Sequence, residues 1–313
     1  MNFFIGVTDY EWFQLHAAKQ NVEEVNFWRP SPDRPFKVLQ PGELLLFKLH
    51  SPRNRIAGGG FFTKFLQLPI SLAWDAFGEA NGVRSLVEMR NRIGKYRRGE
   101  IGPTENPNIG CILLAEPFFF PEHDWIPCPT DFSLNTVSGK RYDAESETGK
   151  AIWDAVAERL SLYAATVTEP GPATMNAAES ARYGNPMIVQ PRLGQGSFRV
   201  LVTDAYSRRC AMTQERTLPV LEAAHIRPYS DGGKHELSNG LLLRSDLHTL
   251  FDTGYITIDP ADRRIVVSGR IREEFENGKE YYQLHGKPIH LPLEPGLIPS
   301  AANLEFHAYS VFR

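Results

Sequence analysis

In the stretch AAHIRPYSDGGKHELSNGLLLRSDLHTLFDTG, residues His225, Asn239 and His248 stand at spacings that suit phosphodiester chemistry, with Asp252 four residues beyond His248. Hydrolysing a phosphodiester needs a base to take a proton from water and a cation to hold the scissile phosphate. An imidazole at the end of a strand can be that base. An imidazole and a carboxylate four residues apart on a helix point the same way and can share one divalent ion. Asn239, before Gly240, closes the loop between the two. His225, Asn239 and His248 are therefore the candidate catalytic residues, and His248 and Asp252 the candidate metal ligands. His235, inside the loop, reads as a surface residue. Asp246 reads as a first-turn acid favoured by the helix dipole, and Cys210 as a small core residue.

The elements that must hold these side chains can be read from turn and cap signals. PVLEAAHI reads as a strand ending near the base, RPYSDGGKHELSNG as a loop with two turns, and LLLR as a second strand. SDLHTLFDTG reads as a short helix capped by Ser245 and ended by Gly254. GQGSFRVLVTDAYSRRC precedes the unit as a helix. YITIDP and RRIVVSG follow as a hairpin, and SAANLEFHAYSVF closes the chain as a terminal helix.

A strand, loop, strand and helix carrying these residues in this order resembles the ββα-metal core of the HNH endonucleases, especially the branch found in bacterial modification-dependent restriction enzymes. The resemblance covers roughly residues 208–255. It implies His225 as general base, Asn239 as the residue that pins the loop and orients the base, and His248 with Asp252 as ligands of Mg²⁺ or Mn²⁺. It also implies double-stranded DNA as the partner and products with 5′-phosphate and 3′-hydroxyl ends. Many members carry Asp or His immediately before the base, where this chain has Ala224. Either Glu222, two residues earlier, takes that place, or Asp252, His248, phosphate oxygens and water complete the shell. The zinc-ribbon cysteines of the family are absent. Mixed imidazole and carboxylate ligation suits Mg²⁺ or Mn²⁺.

The rest of the chain must choose the substrate. A length of 313 residues argues for two domains, and 42% hydrophobic with 23% charged residues is an ordinary globular composition. The expected organisation is a first domain over 1–165, a Pro- and Gly-rich linker over 166–192 and a second domain over 193–313. All five tryptophans precede the linker, which argues for separate cores. NFFIGVT reads as a strand, and GELLLFKLH and RIAGGGFF as strands joined by SPRN. SLAWDAFGEANG and SLVEMRNRIGKYRRG read as helices, the second capped by Ser85. NIGCILLAEPFFF reads as a strand interrupted by Pro117, and SETGKAIWDAVAERLSLYAA as a closing helix. A net charge of −3 leaves nucleic-acid binding to local basic faces. Arg90, Arg92, Arg97 and Arg98 form one such cluster, and Arg192, Arg199, Arg208 and Arg209 another.

The order of these first elements, a strand, a Trp-bearing loop with VNFWRPS, a hairpin ending in IAGGGFF, helices and a late apolar strand, resembles the PUA-like superfamily, with its SRA, EVE and ASCH domains. That resemblance implies a mixed β-barrel with helices, and several such domains flip a modified base between aromatic rings. Trp28, Asp9 and Tyr10 are the candidate pocket residues, and the run Gly58-Gly59-Gly60 would let a ligand or a backbone approach closely. The expected fold class is α+β. The expected function is a modification-dependent DNA endonuclease, with a homodimer serving double-strand cleavage. Two alternatives stay open: a nuclease whose first domain reads unmodified nucleic acid or a protein partner, and a non-catalytic DNA-binding protein. No apolar run is long enough to cross a membrane, and the N-terminus lacks a signal-peptide pattern, so a cytoplasmic location is expected. Three cysteines without a C-x-x-C pair exclude a disulfide framework and a thiolate zinc knuckle.

Overall fold

A computed structural model describes residues 2–33, 35–133, 135–166 and 193–313. The expected linker, including Arg192, lies outside the described residues apart from Thr166. The chain is α+β and divides into two compact units, Met1–Arg192 and Leu193–Arg313.

The first unit runs β1 (Asn2–Thr8), α1 (Tyr10–Ala17), β2 (Glu24–Arg29), β3 (Leu44–Leu49), β4 (Arg55–Pro69), α2 (Ile70–Phe77), α3 (Leu86–Arg97), β5 (Asn108–Phe119), β6 (Ile126–Pro127), β7 (Gly139–Asp143) and α4 (Glu147–Thr166). Its open mixed sheet has the order β2-β5-β4-β3-β1-β7, with β6 on β4. Among the described residues, only the β1–β3 pairing of this sheet is parallel. The run LLLFKL in β3 is apolar on consecutive residues because both faces of the sheet are covered. Leu45, Phe47 and Leu49 pack with Trp12 and Phe13 of α1, whereas Leu44 and Leu46 pack with Ile152 and Val156 of α4.

Two local expectations are revised in this unit and a third is narrowed. VNFWR is strand β2, paired antiparallel with β5, rather than a Trp-bearing loop. Its alternating apolar residues find a partner strand that is distant in sequence. Pro117 does not interrupt β5: Glu116 adopts a φ of 47° and the register against β4 slips between Gly59 and Phe61. The proline thus sits at a bulge, where no ladder donor is required of it. The glycine run admits backbone rather than ligand. A Cβ on Gly58 would lie 2.2 Å from the Phe118 carbonyl oxygen, and one on Gly59 would lie 2.8 Å from that of Leu45.

The second unit runs α5 (Gln195–Ala205), β8 (Leu221–His225), β9 (Gly240–Arg244), α6 (Ser245–Asp252), β10 (Ile256–Ile258), β11 (Ile265–Val267), α7 (Arg270–Phe275), α8 (Lys279–Tyr282) and α9 (Ala301–Phe306). A π-helical turn, His307–Val311, follows. One core gathers Phe198, Tyr206, Leu241, Leu243, Leu247, Phe251 and Ile256. The helix expected to reach Cys210 stops at Ala205, because Ser207 and Arg208 are left-handed, with φ of 53° and 59°. Ser245 is the first helical residue of α6 and not its cap. Arg244 holds the cap position, and its guanidinium grips Asp246 at 2.6 and 2.7 Å. Gly254 ends the helix region with a φ of 80°, and a Cβ there would meet the Val311 carbonyl oxygen at 2.1 Å. The C-terminal tail therefore rests directly against the end of α6. Among the described residues, no helix is long and apolar enough to cross a membrane.

Candidate active site

The site is built on the antiparallel pair β8–β9, with His225 opposite Gly240, and on α6, which leaves β9 without a connecting loop. Leu247 and Phe251 are fully buried and anchor the inner face of α6. Residues four apart on the opposite face, His248 and Asp252, then project outward together.

His225 ends β8 with its ring flat on Phe198 of α5, the centroids 4.0 Å apart and the planes at 9°. Its Nε2 lies 2.9 Å from Nδ1 of His235, and His235 in turn stacks on Tyr229. Burial, and then the neighbouring His235, lower the His225 pKa to about 4, so the ring is unprotonated at neutral pH. His235 is thus a partner of His225 and not the bystander expected of a loop residue. No periodicity relates the two, which are ten residues apart. Only the path of the loop brings them together.

Asn239 sets that path. It is 1% exposed, accepts from the Arg227 backbone N–H at 2.9 Å and donates to the carbonyls of Arg227 and Lys234 at 3.0 and 3.1 Å. Its own carbonyl accepts from Ile226 N–H at 2.9 Å. One buried amide therefore ties both ends of the loop to each other, as a side chain with two donors and an acceptor can.

His248 stands between two carboxylates. Its Nδ1 is 2.7 Å from Glu222 Oε2, and its Nε2 is 3.2 Å from Asp252 Oδ2. Burial opposes the charged imidazole, but the hydrogen bonds to Asp252 and Glu222 outweigh it, and the pKa is raised. Glu222 therefore engages the far nitrogen of His248. Ala224 is fully buried while Glu222 is exposed, so the two do not share an environment although they stand two apart on one strand. A ligand side chain at 224 would point into the core.

His225, His248, Glu222, Asp252, Phe198, Arg199 and Tyr229 line one cavity of about 560 Å³. Among the described residues, no cluster of three or more His, Cys, Asp or Glu side chains is arranged to hold a metal ion. Two donors are nevertheless well placed. Adjacent ligands around an octahedral ion with bonds of about 2.1 Å stand roughly 3 Å apart. The 3.2 Å between His248 Nε2 and Asp252 Oδ2 fits such a pair. The Glu222 contact on Nδ1 is the carboxylate that ligating imidazoles commonly carry.

The arginines expected to meet DNA are for the most part engaged within the protein. Arg90 donates to the carbonyls of Gly102 and Glu105, and Arg97 to those of Pro30 and Asn108. Arg92 pairs with Glu11 and Glu88. Arg98 is exposed at the left-handed end of α3. In the second unit, Arg199 lines the cavity, and Arg208 and Arg209 are half-buried in the turn after α5.

Of the candidate pocket residues, Asp9 caps α1 through the N–H groups of Glu11 and Trp12. Tyr96 of α3 donates to Asp9 at 3.1 Å and packs edge-on against Trp28, bringing those two residues to one spot. The Trp28 indole N–H donates to the Asn81 carbonyl at 2.8 Å. Tyr10 belongs to another group: it stacks on Phe13 and lies under Arg53, whose guanidinium is 3.3 Å from the ring centroid.

Residues 210–259 match the HNH_2 family, described as HNH endonuclease. The matched segment contains β8, the loop, β9 and α6. No curated protein matches the chain. Among solved structures, a mutant ASCH protein from Zymomonas mobilis is similar at 11% identity and a TM-score of 0.31, over 48% of this chain and 96% of that one. The modification-dependent restriction endonuclease TagI is similar at 12% identity and a TM-score of 0.27, over 92% of this chain and 75% of that one.

Proposed function

We propose that this protein is a DNA endonuclease in which residues 193–313 cut the phosphodiester backbone and residues 1–165 recognise a modified duplex, joined by 166–192. The observation that carries the nuclease reading is the convergence of His225, His248 and Asp252 on one cavity, with Asn239 pinning the loop beside them. His225, unprotonated at neutral pH, takes a proton from water. The water oxygen bonds to phosphorus as the bond to the 3′-oxygen breaks, and that oxygen takes a proton from solvent, leaving 5′-phosphate and 3′-hydroxyl ends. His248 and Asp252 would hold Mg²⁺ or Mn²⁺, which supplies positive charge to the phosphorane and the departing oxygen. Phe198 keeps the base ring flat against α5. Cutting both strands takes two such sites, so a homodimer on DNA is the proposed working form.

A second reading, in which the first unit binds unmodified nucleic acid or a protein partner, is favoured by one observation. The Trp28 indole N–H and the Asp9 carboxylate are already engaged by Asn81 and by the start of α1. The full-length protein, incubated with Mg²⁺ or Mn²⁺ and matched methylated, hydroxymethylated, glucosylated, phosphorothioate and plain duplexes, separates the readings. Cutting restricted to one modified duplex supports the first reading. Equal cutting of all duplexes promotes the second, and no metal-dependent cutting of any nucleic acid removes the nuclease assignment.

A further inference from the structure

We infer that His235 is a positioning residue for His225: it accepts a hydrogen bond from His225 Nε2, and so makes Nδ1 the nitrogen that deprotonates water. The role in water activation rests on the nuclease reading, but the hydrogen bond and the tautomer do not. The two facing nitrogens are 2.9 Å apart, and only one proton can lie between them. Among the described residues, Nδ1 of His225 has no hydrogen-bond partner.

Proton balance then selects one arrangement. When water gives its proton to His225, both nitrogens of that ring carry hydrogen, and Nε2–H must donate to something. The group it faces is His235 Nδ1, which can accept only if the His235 proton sits on Nε2. In the opposite arrangement, His235 Nδ1–H donates to His225 Nε2. The His225 proton is then on Nδ1, and the ring has no lone pair left for water. A neutral acceptor thus does for this imidazole what a carboxylate does in a Ser-His-Asp triad: it holds the tautomer and steadies the imidazolium as it forms.

The surrounding structure fixes both rings. Phe198 lies flat on His225 at 4.0 Å, and Tyr229 lies along His235 at 5.0 Å with 18° between planes. Asn239 donates to the carbonyl of Lys234, the residue immediately before His235. The asparagine therefore places the partner of the base as well as the loop.

Two substitutions separate the hydrogen bond from the ring. His235→Asn keeps an acceptor near the position of Nδ1 but removes the stacking on Tyr229. His235→Phe keeps the ring but removes the acceptor. On the full-length protein with Mg²⁺, His235→Phe should lower kcat by about 10- to 100-fold with KM unchanged, by analogy with groups that orient a metal-bound imidazole. His235→Asn should stay within a few-fold of the unsubstituted protein. Full activity of His235→Phe, or equal losses in both variants, overturns the inference. Nitrogen NMR of the unsubstituted protein at neutral pH gives a readout without catalysis. A neutral His225 carrying its proton on Nε2 is expected, and a proton on Nδ1 refutes the assignment. If no variant cuts DNA, the nuclease reading has failed, while the NMR result still decides the hydrogen-bonded pair.

Discussion

In the proposed mechanism His225 acts only while a proton leaves water, so its removal should be felt in the transition state and not in the affinity for DNA. His225→Ala is expected to abolish cleavage while changing the DNA dissociation constant by less than about threefold at fixed salt, since imidazole contact with the phosphates is not what holds the duplex. Parallel cleavage and binding titrations check this. Residual cutting above a few per cent of the original rate would reassign the base. The flat contact with Phe198 adds a control, because His225→Phe preserves packing and should be equally inactive. Asn239 differs in kind from His225. Its three side-chain hydrogen bonds satisfy backbone groups of the loop in a place water hardly reaches, so its contribution is to geometry.

At the scale of the element, α6 is an eight-residue helix whose two faces do different things. Leu247 and Phe251 fasten it to the core, and His248 and Asp252 offer donors to the cavity. Glu222 on β8 couples the helix to the hairpin by holding His248 Nδ1. Loss of that carboxylate should loosen the imidazole without removing a ligand. Glu222→Gln is therefore expected to weaken Mg²⁺ or Mn²⁺ by about 10- to 100-fold. Asp252→Ala should weaken it less than His248→Ala does, because the histidine alone is gripped from two sides. Metal titrations of the cleavage rate, backed by calorimetry on the metal-free protein, give the order. A Glu222→Gln variant with unchanged metal dependence would restrict that residue to packing.

For the whole molecule, the buried His16 and His307 and the half-buried His225 resist protonation as the pH falls. His16 in the first unit has its pKa lowered to about 3, and His225 and His307 in the second have theirs lowered to about 4, all chiefly by burial. An unfolded imidazole titrates near 6.5, so between that pH and each folded value the unfolded state binds the extra proton. Their contribution to stability should therefore fall as pH drops below about 6.5, by up to about 1.4 kcal/mol per pH unit for His16 and for His307 and by less for the partly exposed His225, until each folded pKa is passed. Neither ring nitrogen of His16 has a hydrogen-bond partner, and the ring packs against Trp12 and Phe119. His16→Phe should accordingly stabilise the protein by about 1–3 kcal/mol at neutral pH and flatten its acid sensitivity. Denaturant unfolding at pH 7 and pH 5 tests both parts. A variant less stable at neutral pH and equally acid-sensitive would contradict this account.

Much of the site was legible in the sequence because it is local. A spacing of four along α6 and the Asn-Gly turn before β9 are properties of short segments, and backbone geometry makes a shared face of the one and a chain reversal of the other. His225, Asn239, His248 and Asp252 could be singled out for that reason. The HNH match over residues 210–259 falls on the same segment. Ser245, ahead of an apolar run, carries the sequence signal of a cap, whereas Arg244 and Asp246 arrange the start of the helix through a bond between side chains. Contacts set by chain closure could not be read at all. The nearness of His235 to His225 depends on the path that Asn239 imposes on the loop. The hold of Glu222 on His248 depends on how α6 crosses β8. Arg90 and Arg97 look like DNA contacts in a basic helix, yet backbone carbonyls elsewhere in the unit take up their guanidinium groups. The chain by itself determined which residues could do chemistry, since residue type and local period suffice for that. The tertiary structure alone decided which nitrogen, carboxylate or carbonyl each one meets, because those partners come from segments that sequence spacing leaves unrelated.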